Sequence, residues 1–352
     1  MRPIGEGGGI ISVVRPALKK SIRAYRSTSN GKAMLLVGFD AVLFLAAAFC
    51  VVAAEGSLIK LVAGAVMGLQ IARLFIIGHD ACHQSFFSNR DWNRRVGWLV
   101  FLPSLTTYSL WEAGHNLGHH VFTNLHGRDY VWTPFSKDEF DALPRWRRTL
   151  ERFYRSGFGH WAYYLIELWW KKLFFPNERE MPGRRPVHRR DSAIVALFAA
   201  SWLATLVCLA LWTGQSIALL LGVGFVWPLL VWCAFMGTTI YFHHTHPDLR
   251  WYRDPVAWEA DRDGISTTVH VTFPGKLGWL LNNIMTHPAH HLDVRIPLYN
   301  IEAAQRTLSA AGAGVLEQPF SWRYVLDTAR RCKLYDYETQ RWMDFEGRHT
   351  SA

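Results

Sequence analysis

Four stretches of this chain are apolar enough, for long enough, to leave few folds open. They are Ala33–Ala53, Leu58–Gly78, Ala193–Trp212 and Ser216–Phe242. Each has about 20 residues or more, the length a helix needs to cross a hydrocarbon core of ~30 Å. The first and third hold no charge apart from Asp40. The second has Lys60 near one end and Arg73 near the other, where long side chains can snorkel to the headgroups. Helices of soluble proteins rarely stay apolar all round for this length. The expected fold is therefore all-α and integral to a membrane, with four transmembrane helices.

The turns set the topology. Ala54-Glu55-Gly56-Ser57 and Thr213-Gly214-Gln215 are short and hold no Lys or Arg, so the spans form two hairpins. The opposite ends receive the basic residues, among them Arg15, Lys19, Lys20, Arg23, Arg26 and Lys32 before the first span. The middle loop adds Arg90, Arg94, Arg95, Arg145, Arg147, Arg148, Arg184, Arg185, Arg189 and Arg190. The positive-inside rule places both termini and that loop in the cytoplasm, with a bacterial inner membrane as the expected location. The formal charge of +10 then belongs to a membrane-facing surface. No nucleic-acid-binding module is visible, and no nucleic-acid partner is expected. The five cysteines form no CxxC pair and read as small buried hydrophobes in a reducing compartment. Residues 1–32 read as a basic cytoplasmic arm without a signal-peptide core, 33–300 as the membrane domain, and 301–352 as cytoplasmic C-terminal helices. Val96–Leu110, interrupted by Pro103, is too short to cross and reads as re-entrant or interfacial. His160–Phe175 mixes aromatic rings with Lys171 and Lys172, as an interfacial helix would. Two tail helices are expected near Ile301–Ala311 and Trp322–Tyr335.

The sixteen histidines are clustered. His79 and His83 lie four apart at the cytoplasmic end of the second span, on one helical face. In His115-Asn-Leu-Gly-His119-His120 the same i, i+4 face recurs, and His120 points away by roughly 100 degrees, free to reach a second ion. His287-Pro-Ala-His290-His291 has three- and four-residue spacings on one face. His243, His244 and His246 sit where the fourth span should leave the membrane. Imidazole suits zinc, copper, iron and nickel. Eight clustered histidines are too many for one ion, and two ions with four or five nitrogens each is the natural division. The scarcity of cysteine at ligand spacing argues against iron–sulfur and thiolate zinc. Asp80 and Asp129 are candidate acceptors for imidazole N–H groups, which would fix tautomer and ring orientation. Asn283, beside Asn282 and one turn before the last cluster, is a candidate to hold a metal-bound water.

The three clusters resemble the histidine boxes of the membrane fatty acid desaturases in order, spacing and intervening hairpins, over roughly Ala33 to Asn300. Three further passages are similar to the acyl-lipid Δ12/ω3-type branch: His244-Thr-His246-Pro247, Arg128-Asp129-Tyr130-Val131 and Asp261-Arg262-Asp263-Gly264. The resemblance implies a non-haem centre of two iron ions, O2 as co-substrate, and removal of two hydrogens from an unactivated acyl chain. It implies a cytoplasmic helical cap carrying the boxes, and no catalytic residue beyond the metal ligands. It also implies a ligand near the end of the fourth span, where His244 matches best and His246 competes. The second box has three residues between its first two histidines where the Δ12 branch commonly has two. That spacing also occurs in related desaturases and in alkane hydroxylases, so the outcome stays open between desaturase and hydroxylase, acetylenase or carotenoid ketolase.

The expected partners are the bilayer and a fatty acyl substrate on a lipid, CoA or carrier protein. Turnover needs two external electrons. No haem-binding segment, dinucleotide fingerprint or ferredoxin cysteine set is visible, so a separate donor such as ferredoxin or cytochrome b5 is expected. A membrane metal transporter is the rival outside enzymes. It would need polar residues midway through the spans, where Asp40 is the only acid.

Overall fold

The computed structural model describes residues 16–174, 176–177, 185–261, 267–275 and 277–351, and is mostly helical. Two compact units alternate along the chain. One is Thr28–Gly114 with His160–Thr238; the other joins the described residues of 1–27 to His115–Gly159 and Thr239–Ala352.

The first unit contains α1 (Asn30–Ala53), α2 (Ser57–Cys82), α3 (Arg90–Phe101), α4 (Tyr108–Ala113), α5 (Pro186–Thr213), α6 (Ile217–Leu221) and most of α7 (Trp227–His244). A π-helical segment, Gly222–Val226, joins α6 to α7, so Ile217–His244 is one 28-residue candidate span. All four expected spans are present, and each runs past its apolar run at one end or both. The Ser29 hydroxyl caps α1 by accepting the Lys32 N–H. Only 22% of the most apolar window of α1 is buried and 17% of that of α5, against 72% for α2. The packed centre of the unit is therefore α2, while α1 and α5 keep their apolar surfaces uncovered, as lipid-facing helices would. Close approach is possible because α2 carries Gly64-x-x-x-Gly68. A Cβ at Gly64 would lie 2.4 Å from the Val223 carbonyl oxygen, and one at Gly68 2.7 Å from that of Pro228.

Two expectations about charge are corrected. Lys60 does not snorkel: it is buried and donates to the Val51 and Val52 carbonyls at 2.8 and 2.9 Å, satisfying groups that the end of α1 leaves open. Arg73 does not reach outward either; its Nε donates to Asp40 at 2.6 Å, and both side chains are buried. A charge in apolar surroundings is tolerable when paired, and each residue supplies the other's partner. Gln215 donates to Val52 at 3.0 Å, bringing the two tight turns together.

The 96–110 stretch breaks at Pro103 into α3, a single 3-10 turn and α4. Residues His160–Tyr163 and Tyr164–Phe174 are helical, and they bury Tyr164, Leu168, Trp169 and Leu173. Phe175 lies outside the described residues.

The second unit holds α8 (His287–Leu292), α9 (Leu298–Ala310) and α10 (Trp322–Arg331). It also corrects the all-α expectation. Strand β1 (Val269–Thr272) pairs in parallel with β2 (Leu316–Pro319), and β3 (Leu334–Asp336) pairs antiparallel with β4 (Arg341–Met343). The tail helix expected to reach Tyr335 stops at Arg331, because Leu334 and Tyr335 are instead fully buried in β3. Ile22 from the basic arm packs in one cluster with Ala289, Leu292 and Ile301. Arg26 forms an ion pair with Asp293, and Asn300 donates to the Tyr25 and Ser27 carbonyls at 3.0 and 2.9 Å. The end of the arm is thus tied beside α8; residues 1–15, Arg15 included, lie outside the described residues, as does Arg184.

Candidate metal centre

The second unit brings seven of the expected histidines together from three places in the chain. The backbone supplies the reason. Gly114–His119 is π-helical, with α-helix resuming at His120–Phe122. In a π-helix the hydrogen bonds run i to i+5, and the wider turn leaves His115 close to both His119 and His120, so the ring nitrogens and not the helical face decide which of them it joins. The Nε2 atoms of His115 and His120 are 3.0 Å apart, and that of His290 is 3.2 Å from His120. This corrects the expectation that His115 and His119 pair while His120 is the odd ring.

His119 joins a different set. Its ligand nitrogen and those of His244, His287 and His291 all lie within 4.8 Å of one another. His287 and His291, one α-turn apart on α8, have Nε2 atoms 3.0 Å apart, and His287 is 3.2 Å from His244. The third box is therefore divided: His287 and His291 serve one set and His290 the other. Two nitrogens bound at ~2.1 Å to one ion and ~90° apart would stand about 3.0 Å from each other. The observed spacings fit that arrangement.

The protonation state fits as well. Burial, then the neighbouring rings His243, His291, His244 and His290, holds His287 well below its ordinary value. Burial, followed by His119, His244, His290 and His243, does the same to His291. Rings so placed are neutral at pH 7, which is the form that donates a lone pair to a metal. The Asp129 carboxylate, buried, accepts the Nδ1–H of His119 at 2.9 Å, the Val131 N–H at 3.0 Å and the Asn124 N–H at 2.9 Å. The His119 tautomer is thereby set, with Nε2 free to face the cluster.

In the first unit, α2 ends in His79 and His83, with ring centroids 4.8 Å apart and ligand nitrogens within 4.8 Å. The Asp80 carboxylate is 3.3 Å from His79 Nδ1. Trp111 of α4 lies 6.2 Å from the His79 ring, and Phe75 meets Trp111 edge-on at 4.8 Å, closing an aromatic wall beside the pair.

Residues 55–321 match the family model described as fatty acid desaturase. This chain belongs to the fatty acid desaturase family. Among its relatives is an sn-1 oleoyl-lipid 12-desaturase of Synechocystis sp., 30% identical over 77% of this chain and 74% of that protein. Another, from Picosynechococcus sp., is 31% identical over 77% of this chain and 75% of its own length. A chloroplastic omega-6 fatty acid desaturase of Glycine max is 29% identical over 77% of this chain, which spans 61% of that longer protein. As a fatty acid desaturase the chain is an oxidoreductase acting on acyl chains.

For this desaturase the structure separates the rival histidines at the end of the fourth span. His244 lies in the four-ring set. His246 does not: its Nδ1 accepts the Asp248 N–H at 3.1 Å and its Nε2 lies 3.4 Å from Gln318. Neighbouring His243 stacks on the His287 ring with centroids 3.6 Å apart. Asn282 and Asn283 sit in a turn, not on a helix, with φ of 48° and 53°. Short polar side chains tolerate that left-handed conformation, and the Asn283 carbonyl accepts the Thr286 N–H at 3.0 Å, so Asn283 is placed as a turn residue. His126, His188, His270 and His349 have other partners: Glu139, the Arg185 N–H, Glu317 and Asp336. Of the Asp261–Gly264 passage only Asp261 is described, where it takes hydrogen bonds from Tyr252 and Arg250. Thr123 is a residue that sequence reasoning missed. Its hydroxyl donates to the His119 carbonyl at 2.7 Å and accepts His291 Nδ1–H at 3.2 Å, tying box two to box three. Its place three residues after His120 was the available signal.

Proposed function

We propose that this chain is an O2-dependent di-iron desaturase that introduces a double bond into an oleoyl-type chain esterified to a glycerolipid. One iron is assigned to His115, His120 and His290 and the other to His119, His244, His287 and His291; His79 and His83, the first histidine box, are proposed as further metal ligands. The observation that carries this reading is the division of the seven clustered imidazoles of the second unit, His120 half-buried and the others buried, into two sets with nitrogen spacings suited to two ions. The donor set is all nitrogen, with Asp129 and Thr123 behind it, which suits iron and leaves no thiolate to favour structural zinc. Bound there, the iron pair supplies the reduction of O2 that oxidises an unactivated C–H bond. The protein supplies position: every methylene has similar reactivity, so the one that reacts is the one held nearest. Trp111 and Phe75 exclude water beside His79.

The names of the relatives support the lipid-linked substrate and the carbon attacked. Loss of two hydrogens with reduction of O2 to two waters requires two electrons and two protons from a separate donor, for which ferredoxin or cytochrome b5 is suitable. The four spans are assigned to two hairpins, with the histidine boxes and both termini on the cytoplasmic side, supported by the Lys/Arg bias of the loops.

Expression in a host of known lipid content tests this. A product two mass units lighter than the substrate, with about two irons per purified chain, is expected. Gain of one oxygen would make the enzyme a hydroxylase, and a single zinc would end the oxidative mechanism.

A further inference from the structure

A cavity of about 1140 Å3 opens in the first unit where α3, α4 and the start of α5 meet. Its rim carries five arginines, Arg90, Arg94, Arg95, Arg185 and Arg190. Three acids answer them. Asp191 is taken by Arg190 at 3.1 Å, and burial raises Glu112 above the usual carboxylate range against the pull of Arg94 and Arg185. Asp91 is exposed. Arg90, Arg94 and Arg95 make no salt bridge among the described residues.

The position of these arginines is unusual in energy. Arg90, Arg94 and Arg95 occupy the opening turns of α3, while Arg185 caps α5 and Arg190 lies in its second turn. Helix N-termini favour anions, so cations there work against both dipoles. Two long helices therefore direct their positive ends, with arginines added, at one cavity. An anion is the ligand that turns this from a cost into a gain. A second feature lies inside. Ser109 of α4 lines the cavity, is 7% exposed, and its hydroxyl has no hydrogen-bond partner among the described residues. Trp98 and Ile194 give the same cavity an apolar wall.

We propose that this cavity binds the phosphate of the acyl carrier, a phosphoglycerolipid headgroup, with the arginines on the phosphate and Trp98 and Ile194 against the glycerol end of the acyl chains. The proposal rests on the desaturase reading above. The same short helix supports it: α4 turns Ser109 and Glu112 to the cavity and places Trp111 against His79. The head is thus held one helix away from a histidine pair proposed as metal ligands, which suits a substrate that enters by its acyl tail. The concave shape and the buried hydroxyl favour a small phosphate over an acidic protein.

Calorimetric titration of the purified holoenzyme in micelles decides it. Dioctanoyl phosphatidylglycerol is expected to bind, more weakly as salt rises. Affinity should fall about tenfold or more in Arg94→Gln/Arg185→Gln, since charge-assisted bonds to phosphate are the strong ones. It should fall by a smaller factor in Ser109→Ala, which changes no charge. CoA is the second arm. Displacement of the lipid by CoA, with CoA the tighter ligand, would keep the phosphate site and name a thioester as its source. Equal binding of a dioctanoyl galactolipid, or affinity unchanged in both variants, overturns the proposal. So does binding of an acidic protein alone. Iron content and product formed from a galactolipid substrate report separately on the desaturase reading, so either idea can fail while the other stands.

Discussion

Replacing Asp129 by Asn should loosen one iron and spare the other. The carboxylate takes His119 Nδ1–H and Val131 N–H on Oδ1 and Asn124 N–H on Oδ2. An amide has one oxygen and one NH2, so it cannot accept at both ends. With its oxygen toward His119, the NH2 faces the Asn124 N–H, donor against donor. Turned round, the NH2 faces His119, whose ring can respond only by moving its proton to Nε2 and surrendering the lone pair meant for the ion. A hydrogen bond to a charged group contributes ~1.5–3 kcal/mol, and loss of such a supporting partner weakens a metal site about 10- to 100-fold. The two figures agree, since tenfold is about 1.4 kcal/mol. The assay is iron per chain by elemental analysis after dialysis against graded chelator, with the melting temperature followed in parallel. Asp129→Asn should fall from about two irons to about one at a chelator strength the parent resists. If the variant folds and keeps both irons as tightly as the parent, or loses both together, the division of the histidines into two sets is wrong.

Other outcomes follow from the same geometry. His244→Ala should abolish product and reduce iron to about one per chain, while His246→Ala should keep both; equal effects would undo the choice between them. Arg73→Met leaves the Asp40 charge buried and alone, and should destabilise by about 3–5 kcal/mol; adding Asp40→Asn should recover most of that in detergent unfolding. Lys333 is held at about 8, below its ordinary 10.5, by burial and then by Arg155. The unfolded chain therefore binds more protons between pH 8 and 10.5, so this residue's contribution to stability rises with pH across that window. The melting temperature of the parent should rise relative to that of Lys333→Met on going from pH 8 to 10.5; a constant difference would contradict the shift.

The four spans were legible in the chain because hydropathy is local and additive: about 20 adjacent residues carry the whole signal. The types and spacing of the histidines were equally local, and with them the family resemblance. Asp129 stands only ten residues from His119 in the chain, and the two side chains are hydrogen-bonded. The small sheets were not legible, since three- and four-residue strands are decided by what lies beside them. The polar residues of the spans were misread for a related reason. Whether Lys60 or Arg73 snorkels depends on whether a neighbouring helix offers it an acceptor, and α1 offers one to each.

By itself the sequence determined a membrane-embedded, histidine-rich oxidoreductase of the desaturase family. Only the tertiary structure decided which rings share a set. Along the π-helical Gly114–His119 segment the close nitrogen pair is His115 with His120, five residues on, and regular helix spacing does not foretell it. Where the end of α7, α8 and the second box meet, the His244 ring lies among the clustered rings and the His246 ring does not. Coordination depends on where nitrogen atoms from distant segments meet, to within a fraction of an ångström, and that is a property of packing that no window of adjacent residues contains.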